Sequence, residues 1–253
     1  GNAYGQSIQQ TSDGGYIIFA STHSIGNGAY DFWLIKTNSI GVEEWSQTYG
    51  GTESEGAAFL QLTSDGGFIL TGYTYSFGNG GADIWLVKTS SAGAEEWNHT
   101  YGGTSDDQAF DVQQTSDGGY IIAGLTRSFS LGRNDYWLVK TNSAGVEEWN
   151  QTYGGAEEDV CYSVQQTSDD GYVMIGKTES FGNGNEDIWL VKTNSAGVEE
   201  WNQTYGGATY DVGYSVQQTL DDGFILMGTT DSFGNNRDYW LIKTDPYGNT
   251  TPF

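Results

Sequence analysis

The sequence predicts an all-β protein, a five-bladed β-propeller of four-stranded antiparallel blades. Three observations predict it: an internal repeat of about 52 residues, four strand-like runs in each copy, and a turn-rich composition. Tyr49-Gly50-Gly51 returns as Tyr101-Gly102-Gly103, Tyr153-Gly154-Gly155 and Tyr205-Gly206-Gly207, a constant step of 52 residues. The run from Trp33 to Lys36 returns at Trp85, Trp137, Trp189 and, one residue early, Trp240. Thirty-eight glycines against two prolines, with 15% aromatic and 36% hydrophobic residues, describe short strands and tight turns rather than helices. The copies are expected at 1–51, 52–103, 104–155, 156–207 and 208–253, forming one domain.

In the third copy the first strand reads Ala109 to Gln114, and Thr115-Ser116-Asp117-Gly118-Gly119 turns it into Tyr120 to Gly124. A longer connection through Ser128 to Asn134 leads to Tyr136 to Lys140, and Thr141 to Gly145 delivers the fourth strand, Val146 to Tyr153. The second and third runs are apolar on both faces, as strands sandwiched between sheets must be, whereas the fourth alternates acids and aromatics like an exposed edge. One such sheet cannot hide both faces, and radial packing of five around an axis hides them. In the fifth copy Asn249-Thr250-Thr251-Pro252-Phe253 replaces the fourth strand, so that blade is expected to have a short or missing outer strand.

The order Tyr-Gly-Gly, then acids and an alanine as at Asp106-Asp107-Gln108-Ala109, then Asp-Gly-Gly-Tyr, Gly-x-Thr-x-Ser and Asp-x-Trp-Leu-Val-Lys resembles the SBBP class of β-propeller repeats, across all five copies. The resemblance implies blades of bacterial or archaeal exported or cell-surface proteins. It implies no catalytic residue set.

Thirty-three acids against nine bases give a net charge of −24, which repels phosphate backbones and anionic lipid, so nucleic acid and direct membrane insertion are not expected. One cysteine, Cys161, and two histidines, His23 and His99, exclude an internal disulfide and the common zinc sites. The chain opens on Gly1-Asn2-Ala3 and reads as a mature or excised piece of a longer chain, extracellular or at the cell surface.

Thr11-x-Asp13-x-Gly15 and its copies at Asp65, Asp117, Asp169 and Asp221 look like the Asp-box turn of some carbohydrate-active propellers. The aspartate accepts backbone N–H bonds while the glycine takes positive φ, so these are read as structural turns. Lys36, Lys88, Lys140, Lys192 and Lys243 are expected to pair with Glu43 and Glu44 and their copies, and the Trp33 set to fill the space between blades. Asp31, Asp83, Asp135, Asp187 and Asp238 precede the aromatic strand. They are read as loop caps, with a carboxylate ring for Ca²⁺ as the alternative; no other cofactor is expected. Asn98, Asn150 and Asn202 head glycosylation triplets on the outer strand, where the first copy has Ser46.

The copies differ most in the connections after strands two and four, and any ligand site is expected there. These connections carry His23, Asn27 and Tyr30; Tyr75 and Asn79; Arg127, Arg133 and Asn134; Glu179, Asn183 and Glu186; Asp231, Asn235 and Arg237. Tyr4, Glu53, Asp106, Glu157, Asp159 and Asp211 stand beside them. The channel-facing positions repeat Gln9, Gln61, Gln113, Gln165 and Gln217 with no unique acid pair. The chain is therefore read as a non-catalytic recognition or assembly module whose partner is a glycan or another surface protein. The alternatives are a multivalent lectin and a glycosidase-like enzyme using carboxylates near the central channel.

Overall fold

In the computed structural model, residues 1–234 and 236–250 are described. The chain is all-β, in five antiparallel sheets that follow the repeat. The first sheet is β1 (Ala3–Gln10), β2 (Tyr16–Thr22), β3 (Asp31–Thr37) and β4 (Glu43–Tyr49), paired in chain order. The second is β5 (Glu55–Leu62), β6 (Phe68–Thr74), β7 (Asp83–Thr89) and β8 (Glu95–Tyr101), and the third β9 (Asp107–Gln114), β10 (Tyr120–Thr126), β11 (Asp135–Thr141) and β12 (Glu147–Tyr153). The fourth is β13 (Asp159–Gln166), β14 (Tyr172–Thr178), β15 (Asp187–Thr193) and β16 (Glu199–Tyr205). The fifth has three strands, β17 (Asp211–Gln218), β18 (Phe224–Thr230) and β19 (Asp238–Thr244), and lacks the outer fourth strand among the described residues. The residues fall into two compact units, 1–120 with 141–146, and 121–140 with 147–253.

Within the first unit, Ile17, Phe19, Phe32 and Leu34 of the first sheet pack on Ala57, Leu60, Leu70, Trp85 and Val87 of the second. Within the second unit, Ile175, Ile188 and Leu190 of the fourth sheet meet Val216, Leu226, Trp240 and Ile242 of the fifth at the same repeat positions. Polar side chains tie neighbouring sheets together along the same seams. The Leu62 N–H donates to Gln9 Oε1 at 3.0 Å and the Gln218 N–H to Gln165 Oε1 at 2.6 Å, so these glutamines bond the next inner strand. At the outer strands the Tyr49 and Tyr153 hydroxyls donate to the carbonyls of Gly93 and Gly197, at 2.6 and 2.5 Å.

The repeated turn differs in detail from the expected one. Asp13 Oδ1 accepts the Thr11 hydroxyl at 2.6 Å and the Gly15 N–H at 2.9 Å, but positive φ falls one residue earlier, on Gly14 at 83°. Gly15 is glycine for space: a Cβ there would stand 2.1 Å from the Thr37 carbonyl oxygen. The lysine of the next strand closes the turn. Lys36 Nζ sits 2.9 Å from Asp13 Oδ2 and 3.0 Å from Glu44, and Lys88 repeats this with Asp65 and Glu96. The partner is thus the second glutamate of each pair plus the turn aspartate; Glu43 instead accepts the Ser46 hydroxyl at 2.9 Å. The lysines are buried rather than partly exposed, because each ammonium also donates to a strand carbonyl, 2.8 Å from Thr37 O in the first copy.

The sequon asparagines have work within the sheet. Asn98 Oδ1 accepts the Trp85 indole N–H at 3.2 Å while its amide donates to Glu95 at 2.6 Å, and Asn150 and Asn202 do the same for Trp137 and Trp189. In the first copy Ser46 is too short to reach, and the buried Trp33 indole nitrogen has no hydrogen-bond partner.

Candidate functional site

The five aspartates do not gather into a ring. Asp83 is buried at the mouth of β7, where its Oδ2 accepts the Asn79 N–H at 2.6 Å and its Oδ1 has no partner. Its neighbour in the first unit is Asp107, at the head of β9: both carboxylates converge on Gly102, which a Cβ would bring to 1.7 and 2.9 Å from them. Asp31 pairs with Glu55 in the same way, Asp135 with Asp159, and Asp187 with Asp211, whereas Asp238 is exposed. Burial, with the Asp107 charge adding to it against the Asn79 bond, pushes Asp83 up to about 6. Burial raises Asp31 and Asp135 as well. Among the described residues no group of three or more metal-ligating side chains forms.

Recurrence at four seams marks these pairs as parts of the repeat. Two arrangements do not recur. The first is in the first unit, where a cavity of about 340 Å³ is lined by Tyr4, Tyr30, Tyr73, Gln6 and Glu55. Tyr30 lies 6.0 Å from the Tyr4 ring and 5.2 Å from His23, and Tyr73 meets Tyr75 edge-on at 5.8 Å. Asn27 contributes its backbone N–H to Asp31 rather than a side chain to the cavity.

The second lies in the second unit, around Lys177 on β14. The Lys177 ammonium is 2.6 Å from Glu186, 2.8 Å from Glu158 and 3.9 Å from Glu179, and its side chain is only 12% exposed. Glu158 precedes β13, Glu179 follows β14 and Glu186 precedes β15, so three successive connections deliver acids to one cation. Arg133 approaches Glu179 at 3.6 Å and Glu157 at 3.7 Å, and the Asn134 amide donates to Glu158 at 3.3 Å. Tyr162 and Tyr214, on the inner strands β13 and β17, stand beside the cluster with rings 5.6 Å apart. Burial is the largest influence on Glu179 and raises it; Glu158 and Glu186 add to this, and Lys177 and Arg133 oppose it. Hydrogen bonds to Glu158 and Glu186 outweigh burial at Lys177 and hold it charged. One carboxyl that keeps its proton beside others tied to an ammonium is an acid–base arrangement.

The remaining predicted loop residues are apart from these. Asn183 gives its N–H to Asp187 at 2.9 Å, Arg237 grips Asp231 at 3.1 and 3.2 Å, Arg127 lies in the connection after β10, and Asn235 lies outside the described residues. Sequence reasoning placed Arg133, Asn134, Glu179 and Glu186 in the variable connections but missed Lys177, Glu158, Tyr162 and Tyr214. The signal was present: Lys177 is the one lysine outside the fivefold Trp-Leu-x-Lys set.

No family model and no curated protein matches the chain. Solved structures do. An acylaminoacyl peptidase from Pyrococcus horikoshii is similar at a TM-score of 0.56 and 9% identity, over 98% of this chain and 39% of that one. A puromycin hydrolase is similar at 0.57 and 11%, over 98% and 38%. A GH43 β-xylosidase/α-arabinofuranosidase from a compost metagenome aligns at 0.45 and 10%, over 99% and 94%. This chain spans about two fifths of the first two. At such identities the likeness establishes fold, and it supports a β-propeller architecture. It also corrects the expectation of a non-catalytic module: the chains on which this fold superposes are enzymes, so the fold gives no ground for setting catalysis aside.

Proposed function

We propose that the five sheets are blades of one exported β-propeller of the SBBP-like repeat class, acting as a glycosidase-like enzyme on an extracellular glycan. The observation that carries this is the cluster of Glu158, Glu179 and Glu186 around Lys177, present in one repeat only and therefore not demanded by the scaffold.

Glycoside hydrolysis needs one carboxyl that donates a proton and a second that is ionised across the scissile bond. Glu179, raised by burial and by its acidic neighbours, holds its proton for the glycosidic oxygen as the C–O bond breaks. Glu158, ion-paired to Lys177, attacks the anomeric carbon and forms a glycosyl ester. Water then attacks that carbon, gives its proton to the Glu179 carboxylate and releases the Glu158 carboxylate. Tyr162 and Tyr214 offer ring faces for the sugar. Lys177 is a positioning residue that holds Glu158 and Glu186 in place.

The test is a panel of aryl glycosides and polysaccharides, with Glu158→Gln and Glu179→Gln as controls. Each substitution is expected to lower kcat about 10²–10⁴-fold with the fold unchanged by circular dichroism. Failure to cleave any member of the panel, or full activity in both variants, would overturn the proposal.

A further inference from the structure

The apolar faces of the repeat are covered at every internal seam and open at two places. Met227, Tyr239 and Leu241 of the fifth sheet are 41%, 89% and 64% exposed. Their equivalents in the fourth sheet, Ile175, Ile188 and Leu190, are fully buried, as are Phe19, Phe32 and Leu34 in the first. The opposite face is open on the first sheet. Ile8 is 62% exposed, where Leu60, Val164 and Val216 at the same repeat position are buried, and Ile18, Trp33 and Ile35 are only half-buried beside it.

These two surfaces are the two halves of one interface already built inside the molecule. In the first unit the face of Phe19, Phe32 and Leu34 receives Leu60, Leu70, Trp85 and Val87. In the second, the face of Ile175, Ile188 and Leu190 receives Val216, Leu226, Trp240 and Ile242. The fifth sheet presents Met227, Tyr239 and Leu241 at the positions of the first list, and the first sheet presents Ile8, Ile18, Trp33 and Ile35 at those of the second.

We propose that the open face of the fifth sheet is a docking surface for the first sheet of a second copy of this chain, reproducing between molecules the seam that joins successive sheets within one. The contact is heterologous, head to tail, so it closes into a ring or extends into a filament. Like charge opposes it at low ionic strength, given the net −24, and added salt strengthens it. It stands independently of the glycosidase reading.

The test uses the whole chain and two variants at exposed positions, Leu241→Asp and Ile8→Asp, whose folds circular dichroism verifies. Light scattering over a dilution series is expected to show wild-type mass rising with concentration through multiples of 27.5 kDa. Each variant alone stays monomeric, because each retains only one of two complementary faces. An equal mixture of the two forms a species of twice the chain mass and nothing larger. A wild-type chain monomeric at every concentration overturns the proposal, whether its faces stay open or close on each other. So does association that survives either substitution, or a mixture that remains monomeric.

Discussion

Replacing Ser46 by asparagine should stabilise the chain. In the inner repeats an asparagine at this position takes the indole N–H of the preceding strand's tryptophan at 3.1–3.2 Å and donates to the first glutamate of its own strand. Register is identical in the first repeat, where Ser46 lies opposite Ile35 as Asn98 lies opposite Val87. Ser46 already bonds Glu43 at 2.9 Å, so asparagine keeps that bond and adds one to the unpartnered Trp33 nitrogen. A net hydrogen bond contributes about 0.5–1.5 kcal/mol, and relieving an unsatisfied buried donor places the effect in the upper part of that range. For a chain of this size, 1 kcal/mol moves Tm by about 2–4 °C. Thermal unfolding followed by tryptophan fluorescence reads this directly. Asn150→Ser, which recreates the serine arrangement beside Trp137, should lower Tm by a similar amount. A neutral or destabilising Ser46→Asn beside a costly Asn150→Ser would refute the reasoning, since the two sites would then not be equivalent.

Other outcomes follow from the same seams. Asp83 is raised to about 6 from 3.8, so the folded state binds an extra proton between these values; its contribution is present at pH 4 and lost as pH rises through 6. Asp31 and Asp135 act in the same direction, so Tm should be higher at pH 4.5 than at 7.5, and Asp83→Asn should narrow the gap by stabilising the chain at pH 7.5 alone. The Asp-box turns set the lower limit: the Thr63 hydroxyl, Lys88 and the Gly67 N–H hold Asp65 at about 2, so its contribution persists until pH falls toward that value. Lys88→Met leaves Asp65 and Glu96 without their shared cation and should cost about 1–3 kcal/mol in denaturant unfolding, less than a fully buried pair because both acids are half exposed. Tyr153→Phe removes the bond to the Gly197 carbonyl and should cost about 1 kcal/mol.

Strand pattern, repeat boundaries and the missing outer strand of the fifth copy were legible because each is local: alternation, turn glycines and a 52-residue period act within one copy. The lysine–aspartate closure of the turn was not, since Asp13 and Lys36 meet only after strands two and three pair. The glutamate cluster was hidden for the same reason. Glu158, Lys177 and Glu186 are spread over three connections, and the comparison of copies weighed loops rather than the strand position of Lys177. Nor did the repeat indicate which apolar faces stay open, because Leu241 and Leu190 are the same residue at the same position with opposite burial.

The geometry at Lys177 also specifies a stereochemical result. Glu158 and Glu179 oxygens lie 2.8 and 3.9 Å from one nitrogen, which bounds their separation at 6.7 Å, below nearly all of the range of about 6.5–9.5 Å that leaves room for an attacking water. Proton NMR of the first sugar released from a cleaved glycoside, recorded before mutarotation, should therefore show the anomeric configuration of the substrate retained. An inverted product would contradict the assignment of Glu158 as nucleophile, and with it the account of this site.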